Sequence, residues 1–349
     1  MPETTMPETT VSSARTMLAG RLNTRTREFA VRRVPVPVPG PGEVRVEVGA
    51  AGVCLSDVHL IDGLLRPALL DGEDVTLGHE VAGTVESLGD GVTQVAVGTR
   101  VIVQAGKQVG ATVHTMGVDY DGGWAEYLVA PAALMAPIPD NLPFEQAAII
   151  PDAVSTPWAA IERTGQVRAG ESVGVWGVGG LGAHGVQLLR LVGAAPIIAI
   201  DPLPQARQRA LELGADLALD PGDPGFAAAM DEATGGRRLD VAFDFAGVDA
   251  VRKQAINSLG VDGRLVLVGL SGRSVTIENS TSFSYNRRQL RGHYGSEPHH
   301  VEQLVAFARL GRLELSRSVS VTLPLAEAAR AVAMLENKEG NPIRIVLVP

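Results

Sequence analysis

The residues with the plainest chemical spacing are three glycines. Gly177, Gly179 and Gly182 form the pattern G-x-G-x-x-G between a short apolar run, Val173–Trp176, and a helix-patterned run over 181–192. The first glycine permits a tight turn, the second lets the backbone approach a pyrophosphate, and the third lets helix and strand pack closely. The helix N-terminus that follows offers free N–H groups and the positive end of its dipole to phosphate. Gly180 makes the turn smaller still, and Leu181 opens the helix. Asp201 ends the next strand-like run, Ile197–Ile200. A carboxylate there accepts hydrogen bonds from an adenosine ribose and repels a 2′-phosphate, so the expected dinucleotide is NAD rather than NADP. Arg207 is near enough in sequence to reach the same ribose. The bland alternative is a strand–helix turn that binds nothing, with an aspartate capping a helix.

A second set of residues is scattered. Cys54 is the one cysteine of the chain. It stands in Val53-Cys54-Leu55-Ser56-Asp57-Val58-His59; Gly78-His79-Glu80 and Ile150-Pro151-Asp152-Ala153 follow. A thiolate, an imidazole and a carboxylate are ligand types that zinc takes at a catalytic site, where three protein ligands leave a fourth position open. Ligands this far apart carry no information in their spacing. On residue type alone, Cys54 reads first as a small buried apolar side chain.

Two kinds of scaffold must position these residues. From Met17 to about 153 the chain reads as short strands and turns. Val44, Val46 and Val48 alternate with Glu43, Arg45 and Glu47 in a half-buried strand, and further strands are expected over 80–88 and Arg100–Val103. Helical signal is weak there. After about 154, strands at Val173–Trp176, Ile197–Ile200, 241–245 and 265–268 alternate with helices over 181–192, 204–213 and 250–259. Such alternation predicts a parallel, doubly wound sheet. Helices are expected over 299–310 and 326–335, and strands over 318–322 and 343–348. Those last strands need sheet partners and are expected to rejoin the first region.

Composition removes several function classes. The 349 residues carry a net charge of −9 and only 4% aromatics, with no long Lys/Arg run. A nucleic-acid partner is therefore disfavoured. No apolar run approaches the ~18 residues of a membrane span. The polar first residues resemble no signal peptide, and one cysteine allows no internal disulfide, so a cytoplasmic protein is expected. The doubled MPETT of residues 1–10 reads as part of a disordered tail over 1–16.

Several motifs occur together and in order: Pro39-Gly40-Pro41-Gly42-Glu43-Val44, Cys54-Leu55-Ser56-Asp57, Gly78-His79-Glu80, Gly122-Gly123-Trp124-Ala125-Glu126-Tyr127 and the Gly177–Gly182 turn. In these the chain resembles the zinc-dependent alcohol dehydrogenases of the medium-chain dehydrogenase/reductase family, from Met17 to Pro349. The resemblance implies an α/β protein. It has a GroES-like, mostly-β catalytic domain (17–153 and 294–349) and a Rossmann NAD-binding domain (154–293). It implies one catalytic zinc on Cys54, His79 and Asp152, the last standing where many relatives have cysteine and otherwise readable as a helix N-cap. Asp57 corresponds to the carboxylate that orients the zinc-bound imidazole. Glu80 corresponds to a glutamate that approaches the metal transiently, or else is a buried ion-pair partner.

Ser56 corresponds to the hydroxyl on the substrate oxygen and His59 to the solvent end of a proton relay, which suits an imidazole's exchange near neutrality. The relay runs from alcohol to Ser56, to the nicotinamide ribose, to His59 and to water. Backbone near Val268-Gly269-Leu270 and Gly292-His293-Tyr294 corresponds to the holder of the carboxamide. Two departures stand out. Leu55 replaces the His or Arg that in many relatives touches the cofactor phosphates. The stretch 103–120 lacks the four-cysteine lobe for structural zinc. Trp124 fits a pocket wall or a core position, and His114, His184, His299 and His300 read as surface or structural.

The implied activity is reversible hydride transfer between a primary or secondary alcohol and NAD, by a homodimer or homotetramer. A zinc-free quinone or enoyl reductase using NADPH is the alternative enzyme. A non-catalytic binding protein that kept the fold is the alternative of another class.

Overall fold

Valines at alternate positions turn one face of Glu43–Val53 inward, and Val44, Val46 and Val48 are buried. In this computed structural model, which describes residues 15–349, that strand is the axis of a seven-stranded sheet. Val81–Leu88 and Arg344–Val348 flank it, both antiparallel, and Val319–Pro324 lies parallel beyond Arg344–Val348. The C-terminal strands thus lie in the sheet of the first region. The MPETT repeat lies outside the described residues, and a strand is already formed from Thr16.

The second sheet has six parallel strands. Their order is Leu217–Leu219, Ile197–Ile200, Val173–Trp176, Leu239–Asp244, Leu259–Leu267 and Gln289–Gly292. Numbered along the chain this is 3-2-1-4-5-6, the doubly wound order of dinucleotide-binding sheets. Val173–Trp176 and Ile197–Ile200 are buried at every position, as strands covered on both faces must be. Helices Gly182–Val192, Pro204–Glu212 and Asp249–Ser258 fill the expected crossovers. The strand order reverses between Val173–Trp176 and Leu239–Asp244, and Gly177 follows the first of these.

Two helical elements depart from the sequence reading. Residues 55–62 form the helix Leu55–Asp62 in a region that read as strands. It stops at Gly63, whose φ of +79° suits a left-handed cap, and Arg27 donates to its Leu60 carbonyl at 3.0 Å. Residues 144–165 form a nearly continuous helical run, with π-helical turns at Ile150–Val154 and Ala160–Gly165. The run accommodates Pro151 and Pro157, although proline removes an N–H and crowds the preceding turn. A π turn widens the helix locally, and such turns concentrate at functional sites.

Trp124 is fully buried and donates its indole N–H to the Gly52 carbonyl at 2.9 Å, so it belongs to the core of the first sheet. Within the stretch 103–120, which lacks cysteine, the chain makes a hairpin of Gly106–Val109 with Thr112–Thr115. No helix among the described residues is long and apolar enough to cross a membrane.

Candidate active site

Sheet register gathers the metal-type residues. Ile345 pairs with Val53, which brings Arg344 alongside Cys54. Val81 pairs with Ala51, and the Gly52 N–H donates to the Glu80 carbonyl at 2.8 Å. His79 and Glu80 therefore enter from one side of the central strand and Arg344 from the other. A Cβ at Gly52 would overlap the Glu80 carboxylate, so a larger residue there would displace it. Cys54 ends the strand and caps the Leu55–Asp62 helix, and the Asp57 carboxylate accepts the Cys54 N–H at 2.9 Å. Asp152 arrives from the π-helical turn Ile150–Val154.

Cys54 Sγ lies 3.4 Å from Asp152 Oδ2, and His79 Nε2 lies 3.5 Å from the same oxygen. Bond lengths of about 2.0–2.3 Å at tetrahedral angles require ligand atoms roughly 3.3–3.8 Å apart. The donor set and its spacing therefore fit zinc. His79 Nδ1 and Asp57 Oδ1 are buried without hydrogen-bond partners and lie 3.6 Å apart. A shift of a few tenths of an ångström gives the carboxylate–imidazole bond that fixes the tautomer of a metal-binding histidine. Ser56 Oγ lies 3.3 Å from His79 Nε2, at the edge of the same cluster. His59 is half-buried one turn further along the same helix, on the face that carries Ser56.

Electrostatics follow from this crowding. Burial opposes ionisation of Asp152, but His79 and Arg344 outweigh it and hold the carboxyl below the usual range. Burial also opposes protonation of His79, yet the Asp57 and Asp152 carboxylates raise its pKa well above the ordinary value. Glu80 is pushed up to about 8 by burial, which the Arg344 guanidinium only partly offsets.

Three residues that the sequence reading missed hold this arrangement. Arg344 donates to Glu80 and approaches Asp152 Oδ2 at 3.4 Å and Cys54 Sγ at 3.7 Å. Its signal is a lone charge inside the apolar run from Ile343 to Val348. Thr156 donates its hydroxyl to Asp152 Oδ1 at 2.7 Å, one helical turn on. Asp244, buried at a strand end like Asp201, pairs with buried Arg252 at 2.9 Å. The Asp244 carbonyl receives the N–H groups of Val268 and Gly269, while Arg252 donates to the Gly269 carbonyl.

The glycine turn has the expected division of labour. Gly177 adopts φ +87°, and a Cβ on Gly182 would overlap the Gly177 carbonyl. A Cβ on Gly179 would meet nothing within 4 Å, which leaves open space for a pyrophosphate against the backbone. Asp201 also braces this turn: its carboxylate accepts the N–H of Val178 at 2.8 Å and of Leu203 at 2.9 Å. Arg207 donates to the Asp201 and Pro202 carbonyls and to Asp220. Val268, Gly269, Leu270 and Tyr294 follow the carboxyl ends of the last two strands, on the same edge as Gly177 and Asp201; Leu270 and Tyr294 are exposed.

Glu162, His299 and His300 form a second group of donor atoms. His300 Nδ1 accepts the Glu297 N–H at 2.9 Å, so its proton sits on Nε2, facing Glu162 at 3.4 Å. That tautomer caps a helix and leaves no lone pair for a metal.

A carboxyl-edge dinucleotide crevice beside a thiolate–imidazole–carboxylate cluster defines a metal-dependent, nicotinamide-linked dehydrogenase scaffold. The Zinc-binding dehydrogenase family profile matches residues 180–309, and the Alcohol dehydrogenase GroES-like domain profile matches residues 40–140. The NDMA-dependent alcohol dehydrogenase of Amycolatopsis methanolica is 33% identical over 285 residues, 72% of this chain and 76% of that protein. The structure of 2R,3R-butanediol dehydrogenase from Bacillus subtilis superposes with a TM-score of 0.87 at 26% identity, covering 95% of this chain and 99% of that one. A Sinorhizobium meliloti 1021 protein bound to NADP superposes with a TM-score of 0.88 at 27% identity, covering 96% and 100%. The chain belongs to the zinc-binding, medium-chain alcohol dehydrogenase family.

Proposed function

We propose that this protein exchanges a hydride between an alcohol and NAD, with one zinc per subunit on Cys54, His79 and Asp152. The observation that carries the reading is the 3.4 and 3.5 Å spacing of the three ligand atoms, with Ser56 at the edge of the same cluster. Zinc bound there supplies Lewis acidity toward the substrate oxygen. Ser56 accepts the hydrogen bond of the alcohol, and His59 stands at the solvent end of the relay, with the nicotinamide ribose hydroxyl between them when the cofactor is bound. Asp57 holds the His79 ring, and Glu80 stays paired with Arg344. The glycine turn seats the pyrophosphate, and the segment 268–270, clamped by Asp244 and Arg252, faces the nicotinamide end. The catalytic unit comprises 17–153 and 294–349, and the cofactor unit 154–293.

Asp201 supports NAD over NADP, since its carboxylate closes the strand end where a 2′-phosphate would lie. The hairpin over 106–115 supports a single zinc, because it offers no cysteine. A homodimer or homotetramer is the proposed assembly.

Metal analysis joined to an NAD-linked alcohol screen tests the whole reading. About one zinc per subunit, with activity lost on chelation, is expected; zinc near two would refute the missing lobe. Asp152→Ala is expected to lose zinc, and unchanged occupancy would remove Asp152 from the ligand set. Higher catalytic efficiency with NADP would overturn the role given to Asp201.

A further inference from the structure

His184 lies in the first turn of the Gly182–Val192 helix and is completely buried. Nothing about cofactor or metal binding in itself requires an imidazole there. Both ring nitrogens are engaged. Nδ1 lies 2.7 Å from the Gly180 carbonyl, inside the glycine turn, and Nε2 lies 2.8 Å from Ser318 Oγ. A carbonyl only accepts, so Nδ1 carries the proton and Nε2 accepts the Ser318 hydroxyl. Burial first, and then Arg344, push the His184 pKa down to about 4, so the ring stays neutral near neutrality.

Ser318 continues the path. Its carbonyl accepts the Arg344 N–H at 3.0 Å. The Arg344 side chain reaches Glu80, Asp152 and Cys54 at one end of its guanidinium. At the other end, Nη1 lies 2.7 Å from where a Cβ on Gly180 would sit. The hydrogen bonds form a chain from Gly180 to His184, Ser318 and Arg344, whose Nη1 lies toward Gly180. One end of that chain is the pyrophosphate turn, and the other is the metal-type cluster.

We propose that His184 is a positioning residue that couples dinucleotide binding to retention of the metal. The inference rests on the reading of the glycine turn and of Cys54–His79–Asp152 given above. A backbone shift at Gly180 on pyrophosphate binding reaches Arg344 through the His184–Ser318 bridge. Coupling of this kind is reciprocal, so NADH tightens zinc binding by the same factor as zinc tightens NADH.

The test measures the zinc affinity of the protein by competition with a chelating dye, with and without saturating NADH. Wild type is expected to hold zinc roughly 10-fold more tightly with NADH, a size typical of coupling between sites. His184→Asn keeps a donor for Gly180 but cannot reach Ser318, and Ser318→Ala removes the hydroxyl while keeping the imidazole. Either folded variant, checked by circular dichroism, is expected to show less than a 2-fold effect of NADH. Ser318→Ala carries the test if His184→Asn does not fold. A wild-type-like ratio in the folded variants would overturn the inference, as would absence of the effect in wild type. Failure of wild type to bind NADH or zinc at all would instead sink the functional reading beneath it.

Discussion

The Thr156 hydroxyl donates to Asp152 Oδ1 at 2.7 Å, leaving Oδ2 as the oxygen that faces Cys54 and His79. A carboxylate has two oxygens where a thiolate has one sulfur, so a carboxylate ligand needs something to select between them. Thr156 does so from the next helical turn. Outer contacts of this kind are worth about 10–100-fold in metal affinity. Thr156→Val is therefore expected to weaken zinc binding about 10-fold by chelator competition, while Thr156→Ser stays close to wild type. Equal affinities in the two variants would make the contact incidental.

Arg344 and Glu80 form a buried pair, and burial pushes the Glu80 pKa up to about 8. Breaking a buried pair commonly costs 3–5 kcal/mol, because one charge is stranded. Glu80 can take up a proton instead, so the lower end applies. Arg344→Met is expected to cost about 3 kcal/mol in urea unfolding. Adding Glu80→Gln should recover part of that loss, since the neutral amide needs no counter-charge. A double variant no more stable than Arg344→Met would contradict this account.

What the sequence made legible was local, or carried by motif. The G-x-G-x-x-G turn lies between a strand and a helix only a few residues away, and the later strand–helix rhythm yields the parallel sheet. Cys54, His79 and Asp152 came from motifs rather than spacing, and the structure brings them together. Arg344 stayed hidden because its contact with Cys54 spans 290 positions and depends on the pairing of Ile345 with Val53. Thr156 stayed hidden because its link to Asp152 exists only on a helix that spans both residues, and the sequence reading placed no helix over 144–165. The Leu55–Asp62 helix is short and its apolar face weakly marked, so tertiary contacts, including Arg27 at its end, decide it.

Asp244 gives a separate prediction for the cofactor. Its side chain accepts the N–H groups of Ala246 and Gly247 and pairs with Arg252, which holds the Gly269 carbonyl. Asp244→Asn keeps one acceptor but leaves the buried Arg252 without its counter-charge. The 268–270 segment then loses its brace. KM for NAD is expected to rise about 10-fold, the equivalent of roughly 1.4 kcal/mol, with zinc content unchanged. A loss of zinc, or an unaltered KM, would refute the assignment of this clamp to the cofactor end.

His184 makes stability depend on pH in a stated direction. Burial lowers its pKa from an ordinary 6.5 to about 4, and the facing charges of Arg344 and Arg209 act in the same sense. The Gly180 and Ala153 carbonyls pull the other way and do not prevail. With the folded value below the unfolded one, the unfolded chain binds the proton more readily. The contribution is intact above about pH 6.5 and is lost as pH falls toward 4. Each pH unit in that window is worth about 1.4 kcal/mol, so the loss reaches about 2.5 kcal/mol by pH 4.5. His184→Asn has no titrating group there and lacks this slope. The stability gap between wild type and His184→Asn, read from urea midpoints at pH 7 and 4.5, should therefore shrink by that amount on acidification. A constant gap across the two pH values would mean that His184 is protonated in the folded protein, against the hydrogen bonds that Gly180 and Ser318 make with it.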